Sequence, residues 1–127
     1  MKAIEDSLRK NIRVTLLAVD DEPEILEALQ EFLATEYDVI TAQDGMEAVE
    51  RAVTDRPDMI LLDVRLPELD GFGVCEQLKT HPQTGHIPII IVSALNTIPD
   101  KVKGVMYGAD EYLTKPVDLV QLGHTIK

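Results

Sequence analysis

The sequence predicts an α/β fold, a doubly wound parallel sheet of five strands flanked by helices. Short aliphatic and β-branched runs alternate with segments in which apolar residues recur at helical spacing. The strand runs lack polar alternation, which is typical of parallel strands buried on both faces. A length of 127 residues with 45% hydrophobic content fits one compact domain.

The first two strand–helix units lie in the amino-terminal half of the chain. The first strand is expected at residues 14–19, and Pro23 stands in the first turn of the helix that follows it. The second strand is expected at residues 38–42. Asp44 is in position to cap the second helix, and Glu47 can complete a capping box.

The same alternation continues to the end of the sequence. Three further strands are expected, at residues 58–63, 87–94 and 109–114. Helices are expected after each of these strands, over residues 71–80, around residues 102–106 and from residue 117 onward. Gly108 is in position to end the fourth helix, because glycine is common just beyond a helix terminus.

Charge and cysteine content exclude several classes of protein. The formal net charge of -11 argues against direct nucleic-acid binding, which depends on Lys and Arg. The single cysteine, Cys75, excludes a disulfide framework and favours a reducing compartment, with the thiol expected to be buried. The longest apolar run is too short to span a membrane, so we expect a soluble, cytoplasmic protein that does not contact the membrane.

Polar side chains stand where four of the predicted strands end. Asp20 and Asp21 follow the first strand, Asp63 ends the third, Ser93 ends the fourth and Lys115 follows the fifth. Each residue alone fits an ordinary role as a helix cap, a turn residue or a solvated charge. Together they matter more, because parallel strands end at one edge and ligands bind in α/β folds outside that edge.

Three carboxylates at one edge predict a cation. At a separation of ~4 Å each pair would repel by about 4 kcal/mol in a medium of effective dielectric near 20. Oxygen ligands without a cluster of His or Cys suit Mg²⁺. Lys115 adds a positive charge suited to a phosphoryl oxygen. Glu22, beside the acidic pair, is expected to favour the helix N-terminus through the macrodipole.

Four motifs give the sequence a specific resemblance. VDDEPE, LLDVRLPELDG, VSA and YLTKP occur in the order found in the receiver domains of response regulators. The resemblance runs from about Val14 to the end of the sequence. It implies a flavodoxin-like (βα)5 fold of strand order 2-1-3-4-5, with residues 1–13 as an amino-terminal extension and residues 14–127 as the receiver domain. The last helix is expected to be truncated.

The resemblance also implies a metal site. Asp63 resembles the aspartate that accepts the phosphoryl group. Asp21 and Asp63 resemble ligands of Mg²⁺, with Asp20 acting through a metal-bound water and the backbone carbonyl of Arg65 as a further ligand.

A second group of residues resembles the family's switch. Ser93 matches the hydroxyl that meets the phosphoryl group, and Lys115 matches the lysine that pairs with it. Tyr112 matches the aromatic ring that turns inward on activation, and Pro116 the family's cis-proline. The side chains of Arg65 and Leu95 occupy positions that vary in the family and line the path to the phosphoryl group.

The resemblance implies a signalling switch that a sensor histidine kinase or phosphotransfer protein phosphorylates. Its chemistry would be limited to its own phosphorylation and dephosphorylation, so it would not be an enzyme in the usual sense. Expected partners include an output domain beyond Lys127 and a second copy that meets the face of the fourth helix, fifth strand and last helix. Two alternatives stand beside it: a degenerate receiver used only for docking, and an aspartyl-phosphate phosphatase of the haloacid dehalogenase type.

Overall fold

Five strands and four helices alternate within the part of the chain that the structure describes. The computed structural model describes residues 13–65, 71–94, 98–115, 122, 125 and 126. The strands are β1 (Val14–Val19), β2 (Tyr37–Ala42), β3 (Met59–Leu62), β4 (Ile89–Ser93) and β5 (Glu111–Thr114). The helices are α1 (Pro23–Leu33), α2 (Gly45–Asp55), α3 (Gly71–Thr80) and α4 (Ile98–Met106). Residues 122, 125 and 126 are also helical.

The strands form one parallel sheet in the order β2-β1-β3-β4-β5. Hydrophobic residues cover both faces of this sheet in two buried clusters. One cluster includes side chains of α2 and α3, and the other includes Leu33 of α1 together with Leu122 and Ile126. Helices therefore lie on both faces, and the predicted fold class and strand order are confirmed.

The strand boundaries differ from the predicted ones by one or two residues at several ends. β3 begins at Met59 rather than at residue 58, and the Asp58 side chain accepts a hydrogen bond from the amide of Thr15 at 2.9 Å. Asp63 lies one residue beyond the last residue of β3, so its side chain stands at the open edge of the sheet.

The predicted helix ends are largely confirmed. Asp44 caps α2 by accepting a hydrogen bond from the amide of Glu47 at 2.8 Å. The expected capping box is wrong in its second half, since the Glu47 carboxylate accepts from the amide of Gln43, one residue before the cap. Gly108 follows α4 with a φ of 99°, a left-handed conformation that glycine adopts without strain.

Some predictions fall outside the described residues. These are the proline at 116, the leucine at 95, the end of the last helix and all but Arg13 of the amino-terminal extension. Arg13 binds Asp38 and the backbone carbonyls of Ala34 and Tyr37. None of the described helices has the length and apolar character needed to cross a bilayer.

Candidate functional site

The predicted acidic residues meet at the carboxyl edge of the sheet. In the parallel register the last residues of β1 and β3, Val19 and Leu62, are paired, so the residues that follow them lie side by side. Carboxylate oxygens of Asp20, Asp21 and Asp63 all lie within 4.8 Å of one another. Asp20 and Asp63 are 3% and 4% exposed, whereas Asp21 is open to solvent.

Lys115 joins two of these carboxylates from the end of β5. Its Nζ donates to Oδ2 of Asp20 at 2.7 Å and to Oδ2 of Asp63 at 2.9 Å. The Lys115 side chain is only 14% exposed, so these contacts are shielded from water. One ammonium therefore faces two buried carboxylates and a third at the surface, and the site keeps an excess of negative charge.

The protonation of the site reflects this imbalance. Burial raises the pKa of Asp20 above its ordinary 3.8, against the opposing hydrogen bond from Lys115. Burial alone would lower the pKa of Lys115, but its hydrogen bonds to Asp20 and Asp63 outweigh burial and raise that pKa above 10.5. Burial thus dominates at Asp20, whereas the hydrogen bonds to the two carboxylates dominate at Lys115.

Backbone amides hold the two buried carboxylates in place. Oδ1 of Asp20 accepts from the amide of Glu22 at 3.0 Å, and Oδ1 of Asp63 accepts from the amide of Arg65 at 2.9 Å. Each carboxylate is thus fixed by a backbone donor on one oxygen and by Lys115 on the other. Arg65 is exposed beside an opening of about 280 Å³ that Asp21, Asp63 and Lys115 also line.

The donor set fits a hard metal ion. Among the described residues, the group of side chains close enough to bind one ion consists of the three aspartates, without His or Cys. Carboxylate oxygens are the ligands that Mg²⁺ and Ca²⁺ prefer. Such an ion would offset the negative charge that Lys115 leaves uncompensated.

Ser93 and Tyr112 meet beside this site, at the end of β4 and within β5. Ser93 is fully buried and pairs with Thr114 in the parallel register of the two strands. The Tyr112 side chain forms a hydrogen bond with Ser93, and its ring packs against the buried cluster on the α2 and α3 face. Burial and then the Asp100 carboxylate raise the pKa of Tyr112 above 10.0, so the hydroxyl is protonated at neutral pH.

Two features of the site were absent from the sequence-based interpretation. The sequence predicts a role for Glu22 at the helix terminus, but its Oε1 also lies 3.7 Å from Nζ of Lys115. Gly104 of α4 lies against the Tyr112 ring. Neither contact has a local sequence signal, because both depend on segments that are distant in the chain.

Comparison with known proteins gives a consistent result. The sequence matches the response regulator receiver domain family over residues 16–127. It is 46% identical over 113 residues to the alkaline phosphatase synthesis transcriptional regulatory protein PhoP of Bacillus subtilis, covering 88% of this chain and 46% of PhoP. It is 45% identical over 108 residues to the response regulator PleD of Caulobacter vibrioides, covering 84% of this chain and 24% of PleD.

A solved structure agrees with these matches. The chemotaxis protein CheY4 of Vibrio cholerae aligns with a TM-score of 0.83 and 29% identity, over 91% of this chain and 99% of that one. The chain spans less than half the length of PhoP and about a quarter of PleD. The family match covers most of the sequence, and the sheet has the strand order 2-1-3-4-5 that the resemblance implied. The chain therefore belongs to the response regulator receiver domains, the phosphorylation-dependent switches of two-component signalling.

Proposed function

We propose that Asp63 accepts a phosphoryl group from a sensor histidine kinase or a phosphotransfer protein, and that Asp20, Asp21, Ser93 and Lys115 assist the transfer. The observation that carries this proposal is the meeting of three carboxylates and one buried ammonium at a single edge of the sheet. Uncompensated negative charge lowers the free energy of unfolding. We infer from its presence at this edge that the edge binds a cation and a phosphoryl group.

The proposed step is an in-line phosphoryl transfer. A carboxylate oxygen of Asp63 attacks phosphorus, the bond from phosphorus to the donor's histidine nitrogen breaks, and its electron pair stays on the imidazole. Lys115, already bound to Asp63, can shift its ammonium to a phosphoryl oxygen. The Ser93 hydroxyl donates to another phosphoryl oxygen. Asp63 needs only to be ionised and held in line, which its hydrogen bond from the amide of Arg65 favours.

We further propose Mg²⁺ as the cofactor of this site. Asp21 and Asp63 would bind it directly, Asp20 would act through a bound water, and the backbone carbonyl of Arg65 would be the remaining protein ligand. The bound ion would neutralise charge on the phosphoryl oxygens. The all-oxygen donor set and the exposure of Asp21 support this assignment, because Mg²⁺ retains several waters in protein sites.

The test is intact-mass measurement after incubation with Mg²⁺ and acetyl phosphate. The wild-type chain should gain one phosphoryl group, and Asp63→Asn should gain none. Glu50→Gln, which removes an exposed carboxylate from α2, is the matched control and should be labelled like wild type. Equal labelling of Asp63→Asn would refute the assignment, and omission of Mg²⁺ should slow labelling of the wild-type chain.

Two other functions are less well supported. A receiver used only for docking needs neither the acidic residues nor the lysine, yet all are present and in contact. An aspartyl-phosphate phosphatase of the haloacid dehalogenase type would place a second Asp two residues after the nucleophile as the general acid. That position holds Arg65, whose guanidinium does not act as a general acid at neutral pH. We therefore propose that the chain catalyses only its own phosphorylation and dephosphorylation.

The proposed output surface is the face formed by α4, β5 and the last helix. Four apolar side chains of α4 point into solvent, with exposed fractions of 78% at Ile98, 50% at Val102, 67% at Val105 and 79% at Met106. Exposed apolar groups of this kind favour contact with another protein. We propose that a second copy or an output domain beyond Lys127 covers them after phosphorylation, inside the cytoplasm. Sedimentation velocity with and without beryllofluoride tests the dimer.

A further inference from the structure

Helix α4 turns its smallest residue toward the sheet. Gly104 is its buried residue, and the apolar side chains at Ile98, Val102, Val105 and Met106 lie on the exposed side. Glycine inside a helix lowers stability relative to alanine, so its presence at the buried position calls for a structural reason. The reason lies in what Gly104 faces across the gap between α4 and β5.

The space next to Gly104 is filled by an aromatic ring. A Cβ atom built on Gly104 would lie 2.8 Å from Cδ2 and 3.2 Å from Cε2 of Tyr112, and 3.1 Å from Cδ1 of Ile91. Carbon atoms in van der Waals contact are about 3.5–4.0 Å apart, so any larger residue must displace its neighbours. The terminal carbon of Ile91 can turn away by a change of rotamer, but the flat ring of Tyr112 must move as a whole.

The ring position determines a hydrogen bond at the functional site. The Tyr112 hydroxyl bonds with Ser93, the buried residue at the end of β4. A serine hydroxyl has one proton and two lone pairs. The bond with Tyr112 therefore fixes how the Ser93 hydroxyl is oriented beside the functional site. Outward movement of the ring would break this bond and leave Ser93 without that orientation.

We propose that Gly104 is a positioning residue, which leaves room for Tyr112 beneath α4 and so holds the Tyr112 hydroxyl on Ser93. Its effect on phosphorylation rests on the proposed function, because it assumes that Ser93 meets the phosphoryl group on Asp63. Its effect on the Tyr112 ring does not depend on that assumption. The effect on the Tyr112 ring and the effect on phosphorylation can therefore be measured separately.

The first experiment compares two glycines that lie in helices. Among the described residues beyond its own stretch of α3, no atom lies within 4 Å of the position that a Cβ on Gly73 would take, so Gly73 is a matched control for Gly104. Gly73→Ala should raise the urea concentration at the unfolding midpoint, because alanine has a higher helix propensity than glycine. Gly104→Ala should lower that midpoint. In a Tyr112→Ala background the ring is gone, and Gly104→Ala should then raise the midpoint as Gly73→Ala does.

The second experiment measures the ring and the site directly. In NMR spectra of chains with labelled tyrosine, Gly104→Ala should shift the Tyr112 ring signals, and Gly73→Ala should leave them unchanged. The apparent affinity for beryllofluoride with Mg²⁺ should fall about tenfold in Gly104→Ala, if the inward ring drops to roughly a tenth of the population. In the Tyr112→Ala background, Gly104→Ala should cause no further loss of beryllofluoride affinity.

Three results would overturn the proposal. If Gly104→Ala lowers the unfolding midpoint, or prevents folding, even in the Tyr112→Ala background, the decisive steric contact is with Ile91 or the backbone. Unchanged ring signals would show that Gly104 does not position Tyr112, and an unchanged beryllofluoride affinity would break the link to Ser93. If no variant, wild type included, binds beryllofluoride or accepts a phosphoryl group, the proposed function fails, while the midpoints and ring signals still decide the role of Gly104.

Discussion

The two edges of the sheet each contain a lysine bound to carboxylate, but the two arrangements differ in charge balance. At the amino edge, Nζ of Lys79 donates to the carbonyl of Ile87 at 2.7 Å and lies 3.1 Å from Oδ2 of Asp110. The same Asp110 oxygen accepts from the amide of Ile89 at 2.9 Å. One lysine here faces one aspartate, and both also bind the backbone of the segment that leads into β4.

At the carboxyl edge, one lysine contacts several carboxylates. Lys115 binds Asp20 and Asp63, whose side chains are 4% and 5% exposed, and Glu22 lies 3.7 Å away. By contrast, the Asp110 side chain at the amino edge is 44% exposed. A balanced, half-solvated pair stabilises the packing of the segments that it joins, whereas a buried excess of carboxylate provides a binding site for a cation at the expense of stability.

The largest predicted effect comes from removing the shared lysine. Lys115→Met keeps the apolar stem but leaves Asp20 and Asp63 buried without a positively charged partner, so the free energy of unfolding at pH 7 should fall by ~3 kcal/mol. Urea unfolding with a metal chelator present measures this value. Added Mg²⁺ should restore part of the loss, since a bound cation compensates the same carboxylates.

The stability loss in Lys115→Met should also depend on pH. The loss in Lys115→Met should shrink as the pH falls toward the raised pKa of Asp20, because protonation removes one of the unpaired charges. In the wild-type chain the pKa of Lys115 is raised on folding, so its contribution is complete below pH 10.5 and is lost as the pH rises through the folded value. A loss independent of pH would contradict the charge argument.

An intermediate effect is predicted at the amino edge. Asp110→Ala removes the ion pair with Lys79 and leaves the amide of Ile89 without that acceptor, so stability should fall by about 1–2 kcal/mol. Phosphoryl labelling of Asp63 should be unchanged, because the site lies at the other end of the strands. Asp110→Asn retains an acceptor oxygen and should lose less. If Asp110→Ala abolished labelling of Asp63, the ion pair at the amino edge would not be independent of the functional site at the carboxyl edge.

The smallest predicted effect concerns the exposed member of the acidic cluster. Asp21→Asn relieves repulsion that water already screens, so with a chelator present it should raise stability by only ~0.5 kcal/mol. The same change should weaken Mg²⁺ binding and slow labelling of Asp63. Calorimetric titration with Mg²⁺ and urea unfolding measure the two effects. If Asp21→Asn is less stable than the wild-type chain when a chelator is present, repulsion at Asp21 does not lower the stability of the wild-type fold.

Sequence reasoning succeeded where the signal was local or followed from strand direction. The buried run from Val14 to Val19 lacks polar alternation, which predicted a parallel strand, and the alternation of such runs with helical patterns predicted helices on both faces of the sheet. Because all strands of such a sheet end at one edge, the same pattern predicted that Asp20, Asp63 and Lys115 would meet. The Asp44 cap was predictable for a similar reason, since it binds within a single helical turn.

Contacts that depend on the packing of distant elements were decided only by the tertiary structure. The apolar spacing of Val102, Val105 and Met106 predicted α4 correctly, but not that these side chains would point outward while Gly104 faced Tyr112. Periodicity specifies which residues share a face of a helix, and it does not specify which face turns to the sheet.

The two lysines show the same division between sequence and structure. The motif around Lys115 marked it for the functional site, whereas no pattern distinguished Lys79 from a solvated charge on α3. Its role arises because α3 ends beside the segments that enter β4 and β5, which brings its ammonium to Ile87 and Asp110. The sequence by itself determined the order of the elements and the chemistry at their ends. The tertiary structure determined which side chains meet across them, because those distances depend on packing between segments far apart in the chain.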